Sequence, residues 1–140
     1  MHKKLFSASI AALVLATATA FAGTVSFKAD LNGSQEVPPV TGTGTGSADL
    51  TYDTSTKKLT WKVTYSGLTG PATAAHFHGP AEAGKNAGVA VPITVGASPV
   101  DGAATLTDAQ AADLMAGKWY VNIHTAANKG GEIRGQVVKK

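Results

Sequence analysis

From Val25 onward, apolar and polar residues take turns along the chain. Val25, Phe27, Ala29 and Leu31 are separated by Ser26, Lys28 and Asp30; Ala48, Leu50 and Tyr52 by Asp49 and Thr51; Leu59, Trp61, Val63 and Tyr65 by Thr60, Lys62 and Thr64. A period of two belongs to the β-strand, so each stretch buries one face and solvates the other. Asp53-Thr54-Ser55-Thr56 supplies turn-forming side chains, which predicts a hairpin of strands 48–53 and 58–65. Further strands are predicted at 74–78, 89–94, 102–106, 119–125 and 132–138.

One segment breaks the alternation. Thr107-Asp108-Ala109-Gln110 fits a capping box, Ala109, Ala111, Ala112, Leu114 and Met115 suit a helix, and Gly117 ends it. A short helix over about 108–116 follows. Glu36-Val37-Pro38-Pro39-Val40 must be extended, because each proline pushes its predecessor out of helical space. The Thr/Gly alternation of 41–46 suits a bulge or a sheet edge. It is not a phosphate loop, since neither the Lys-Ser/Thr signature nor a helix follows it. Seven or eight short strands with Gly- and Pro-rich turns and one short helix indicate an all-β, Greek-key sandwich or barrel.

The first 22 residues carry a different pattern. Lys3 and Lys4 precede an uncharged run from Leu5 to Thr19, and Ala20-Phe21-Ala22 matches an A-x-A cleavage site. This reads as a signal peptide over 1–22, leaving 23–140 as one domain in the periplasm or outside the cell. The apolar run is short of the roughly 20 residues that span a bilayer, so no membrane association is expected after cleavage. Without Lys3 and Lys4, ten basic residues face nine acidic ones. That balance offers no basic stripe, and no nucleic-acid partner is expected. The chain has no cysteine, which excludes thiolate nucleophiles, zinc–thiolate and iron–sulfur sites, and cysteine-ligated copper. Any metal would be held by nitrogen and oxygen.

Three histidines remain beyond the leader. His76 and His78 lie in Ala74-Ala75-His76-Phe77-His78-Gly79. Alternate residues of a strand share a face about 6.6 Å apart, so both imidazoles point away from the core-facing Ala75 and Phe77 and can lean onto one ion. In Trp119-Tyr120-Val121-Asn122-Ile123-His124, the apolar Trp119, Val121 and Ile123 take one face and His124 the other. A turn centred on Asn128 pairs His124 with Glu132, Asn122 with Arg134, and Tyr120 with Gln136. A one-residue slip would undo that arrangement. Glu132 or Asn122 then has the position to hydrogen-bond a ligand imidazole. The plainer reading of Glu132 and Arg134 is a surface ion pair, and that of Trp61, Phe77 and Trp119 is core.

Glu36-Val37-Pro38-Pro39, Ala75-His76-Phe77-His78-Gly79, Leu114-Met115-Ala116-Gly117, Tyr120-Val121-Asn122-Ile123-His124-Thr125 and Gly131-Glu132-Ile133-Arg134-Gly135-Gln136 together resemble the CHRD (chordin) domain, from about Val25 to Val138. The resemblance, to the single-domain exported microbial type, implies an immunoglobulin-like β-sandwich or barrel. A looser similarity of arrangement, to copper-dependent superoxide dismutases, implies His76, His78 and His124 as copper ligands and Arg134 as a catalytic cation guiding superoxide. The chain departs from those enzymes in lacking a fourth histidine beyond the leader, a zinc bridge and a disulfide. Three functions follow as expectations: a copper-dependent dismutase acting on a small anion such as superoxide, a non-catalytic binder of copper or zinc, and a protein-interaction module.

Overall fold

The computed structural model describes Ala12, Leu13 and residues 23–140. Apart from those first two residues, the leader read at 1–22 lies outside the described residues. Eight strands form one antiparallel sheet: β1 (Thr24–Asn32), β2 (Thr45–Asp53), β3 (Lys58–Ser66), β4 (Ala72–His78), β5 (Val89–Ile93), β6 (Val100–Thr105), β7 (Trp119–Thr125) and β8 (Ile133–Lys139). Among the described residues one α-helix, α1 (Asp108–Met115), lies between β6 and β7. The strand order is β5-β4-β7-β8-β1-β2-β3-β6. The chain therefore crosses from β3 to the far end of the sheet, and returns from β6 through α1 to insert β7 between β4 and β8. The all-β expectation holds, and the choice between sandwich and barrel resolves to one sheet curled into a nearly closed barrel.

The curl follows from the alternation. The inward set, including Phe27, Leu31, Leu50, Leu59, Val63, Phe77, Val121, Ile123 and Ile133, is almost wholly excluded from solvent. Burying such side chains stabilises each by about 1.5–3 kcal/mol, which the sheet achieves only by facing its two halves together. Trp61 of β3 meets Phe77 of β4 edge to face at 5.2 Å between ring centroids, although four strands stand between them in the sheet. Phe77 also contacts Trp119 at 5.7 Å.

The predicted hairpin forms in register, Asp53 opposite Lys58, with Asp53 Oδ1 accepting from the backbone N–H groups of Ser55 and Thr56 at 2.8 and 3.1 Å. One expectation is corrected. At the end of the Thr/Gly segment, Thr45 and Gly46 do not lie at an edge: β2 begins at Thr45, and Gly46 is paired with Leu31 on one side and Tyr65 on the other. The reason is space, since a Cβ there would come within 2.7 Å of the Thr64 carbonyl oxygen. Only a residue without a side chain fits.

Helix α1 is capped as its sequence predicts: Thr107 Oγ1 accepts from Gln110 N at 3.1 Å, and Gln110 Oε1 accepts from Thr107 N at 3.0 Å. Gln110 Nε2 also donates to the Ala90 carbonyl at 2.9 Å, which docks the helix on β5. Leu114 is its one fully buried side chain. Packing should therefore outweigh capping here. Leu114→Ala is expected to cost about 2–5 kcal/mol, and Thr107→Ala about 1 kcal/mol, in urea unfolding.

Candidate metal centre

Antiparallel pairing sets the site in rows on the outer face of β4, β7 and β8. His78 lies opposite Tyr120 and Tyr120 opposite Gln136; His76 lies opposite Asn122 and Asn122 opposite Arg134; Ala74 lies opposite His124. The register read from the sequence is thus the observed one through Asn122 and Arg134. It places His124 diagonally across from His76, and His76 two residues from His78 on the same face.

The three imidazoles converge, with one ring nitrogen of each within 4.8 Å of the others. His76 Nδ1 lies 3.2 Å from His124 Nε2. Two donors bonded to one ion at about 2.0–2.1 Å sit at this separation when the angle at the ion is near 100°. Backbone carbonyls orient two of the rings: His124 Nδ1 donates to Lys129 O at 2.8 Å, and His78 Nδ1 to Ala87 O at 3.0 Å. Each ring then keeps its Nε2 lone pair for a cation, the usual effect of an outer hydrogen bond on a ligating histidine. Burial lowers the pKa of His76, and repulsion from His124 and then His78 lowers it further. Burial also lowers that of His78, against the opposing pull of the Ala87 and Asn122 oxygens, which favour the protonated ring. Both shifts favour the neutral, lone-pair-bearing ring at His76 and His78.

The surrounding polar residues are more deeply covered than an alternating strand suggests. Asn122 is 3 % exposed and Arg134 2 %. The segment 79–88 crosses above them. Arg134 donates to Asn86 Oδ1 at 2.7 Å and to the Lys85 carbonyl, and its guanidinium lies 3.5 Å from the Tyr120 ring centroid. The His78 ring stacks on the same Tyr120 at 4.7 Å, and Tyr120 Oη donates to Ala87 O at 3.2 Å. Arg134 therefore clamps the loop that supplies the carbonyl orienting His78. It forms no surface ion pair with Glu132.

Glu132 is not brought to the imidazoles, which corrects the role read for it from the sequence. The β7–β8 ladder ends at Ile123 opposite Ile133, and Gly131 (φ +122°) takes the chain out of alternation just before Glu132. Its carboxylate instead accepts from Thr125 Oγ1 at 2.8 Å, Asn128 Nδ2 at 3.0 Å, Thr69 N at 3.0 Å and the Thr69 hydroxyl. Burial alone would raise its pKa, but these bonds together lower it. Asn122, by contrast, lies against the cluster, with Oδ1 2.9 Å from His78 Nε2.

A family model for the CHRD domain matches residues 27–137. The chain belongs to the CHRD domain family. No curated protein and no solved structure matches it.

Sequence reasoning missed one buried residue of this CHRD domain. Glu36 is only 4 % exposed, and its Oε1 has no hydrogen-bond partner, although the Asn122 amide lies beside the carboxylate. Burial raises its pKa to about 7, opposed by Arg134, by Asn122 and by the Val37 N–H. Its one signal in the sequence was its place in the Glu-Val-Pro-Pro block that carries the family resemblance. Gly131 makes room for it, since a Cβ there would overlap Glu36 Oε1 and reach 2.6 Å from Asn122 Nδ2.

Two outcomes follow. A carboxyl whose folded pKa exceeds its unfolded value holds its proton better when folded, so its contribution falls as pH rises from 4.5 through 7. From pH 5 to pH 8, Glu36→Gln should gain on the unsubstituted protein by on the order of 2 kcal/mol in urea unfolding without added metal. Gly131→Ala should destabilise by at least about 1–3 kcal/mol, from its backbone conformation alone, in the same assay.

Proposed function

We propose that this CHRD domain binds one transition-metal ion through His76, His78 and His124, with copper the preferred ion and zinc the alternative. The observation that carries this reading is the 3.2 Å approach of His76 Nδ1 to His124 Nε2, with His124 oriented by a backbone carbonyl. Imidazole suits both ions, and copper stands at the top of the divalent affinity series. The domain acts outside the cytoplasm, in the compartment to which the leader at 1–22 would deliver it.

Superoxide dismutation is the second reading. His76 and His124 are only half-buried, which leaves the cluster within reach of a small anion. Bound copper would supply one-electron chemistry. Arg134 would contribute by holding the loop over His78, since its guanidinium is already engaged by Asn86 and Lys85.

Metal-stripped protein offered Cu(II) and Zn(II) should retain one equivalent. The Cu(II) form should show nitrogen hyperfine structure in its electron paramagnetic resonance spectrum. His124→Ala should lose more than the roughly 10–100-fold in affinity that removal of an outer hydrogen-bond partner costs. Absence of stoichiometric metal would end the proposal. Copper-loaded protein that consumes superoxide no faster than free copper would end the dismutase reading alone.

A further inference from the structure

We propose that the side-chain oxygen of Asn122 is a fourth donor to the ion, completing a set of three imidazole nitrogens and one amide oxygen. The inference rests on the metal reading of the three histidines and adds a fourth ligand to them.

The argument is one of hydrogen counting. A neutral imidazole has one N–H. His78 faces an oxygen at each nitrogen: Ala87 O at 3.0 Å from Nδ1 and Asn122 Oδ1 at 2.9 Å from Nε2. The Ala87 carbonyl takes the proton, as the Lys129 carbonyl does for His124. The Nε2 lone pair of His78 then confronts the oxygen lone pairs of Asn122 at hydrogen-bond distance with no hydrogen between them. Turning the amide over would put an N–H there, but would aim the oxygen at the Gly130 carbonyl, 3.5 Å from Nδ2. The NH₂ group can serve one side only, and its bond to the Gly130 carbonyl holds it on the side away from His78. A shared cation resolves the confrontation. Two donors 2.9 Å apart suit one ion at about 2.0–2.1 Å with an angle near 90°.

Position supports the same assignment. Asn122 stands directly opposite His76 across the β4–β7 ladder and two residues before His124 on its own face. It therefore lies among the three rings, while the Gly131 backbone and Glu36 pack against its far side. The donor set carries a specificity. An amide oxygen suits divalent ions and offers little to Cu(I), which favours soft sulfur ligands. Asn122 thus biases the site towards Zn(II) and Cu(II) over Cu(I).

The test uses the unsubstituted protein first. A crystal structure with Zn(II) bound should place Asn122 Oδ1 at about 2.0–2.2 Å from the ion. An oxygen beyond about 3 Å from it, or an amide turned to present Nδ2 to His78, would overturn the assignment while leaving the three histidines as ligands. In solution, Asn122→Ala should still bind Co(II), but with altered d–d absorption and at least tenfold weaker affinity. It should also lower the ratio of Zn(II) to Cu(I) affinity, which a purely structural residue would not move. Asn122→Asp, which restores an oxygen donor, should recover the Co(II) spectrum. Superimposable Co(II) spectra for the unsubstituted protein and Asn122→Ala would refute the ligand role. Failure of the unsubstituted protein to bind any ion would remove both this inference and the reading beneath it.

Discussion

Because β7 is hydrogen-bonded to β4 on one side and to β8 on the other, the side chains of three strands are held in fixed rows. That double pairing determines the face on which each residue stands, and with it the meeting of His76, His78 and His124. The inner face of the same strands places Phe77, Val121 and Ile123 in the core, so the register cannot slip without driving apolar groups into the polar layer. The hydrophobic core and the histidine cluster are two readings of one ladder.

The outer face of this ladder does not behave as an ordinary solvated sheet surface. Arg134, Glu36, Asn122 and Tyr120 form a buried polar layer beneath the segment 79–88. Buried polar groups are costly unless satisfied, and here nearly every one has a partner. The backbone of the covering loop supplies several of them. The exception is Glu36 Oε1, which has no hydrogen-bond partner. An unsatisfied buried carboxylate is poor architecture for stability alone, and its persistence beside the cluster is consistent with a layer shaped around the histidines.

Much of this was legible in the sequence, because strands write their facing into a period of two. The core faces of β1, β2, β3, β4 and β7, the capping box of α1, and the pairing of Asn122 with Arg134 all followed from local pattern and one turn position. Where local pattern failed, tertiary structure had overridden it. Gly46 enters the sheet interior because of what packs against it from neighbouring strands, and Glu132 leaves the ladder because Gly131 adopts a backbone angle that no periodicity reveals. Glu36 is packed against Gly131 and Asn122, which lie far along the chain. No window of sequence around Val37 and Pro38 contains that information.

The order of the strands in space has a consequence for when the cluster comes into being. His76 and His124 are 48 positions apart, and the strand bearing His124 is slotted between one neighbour already synthesised and another that is the last to emerge. A nascent chain holding only the first two imidazoles lacks the third ring and β8, the second flank of the ladder that aims it. Assembly of the cluster therefore waits on β8, the last of the eight strands in chain order, and coincides with completion of the barrel.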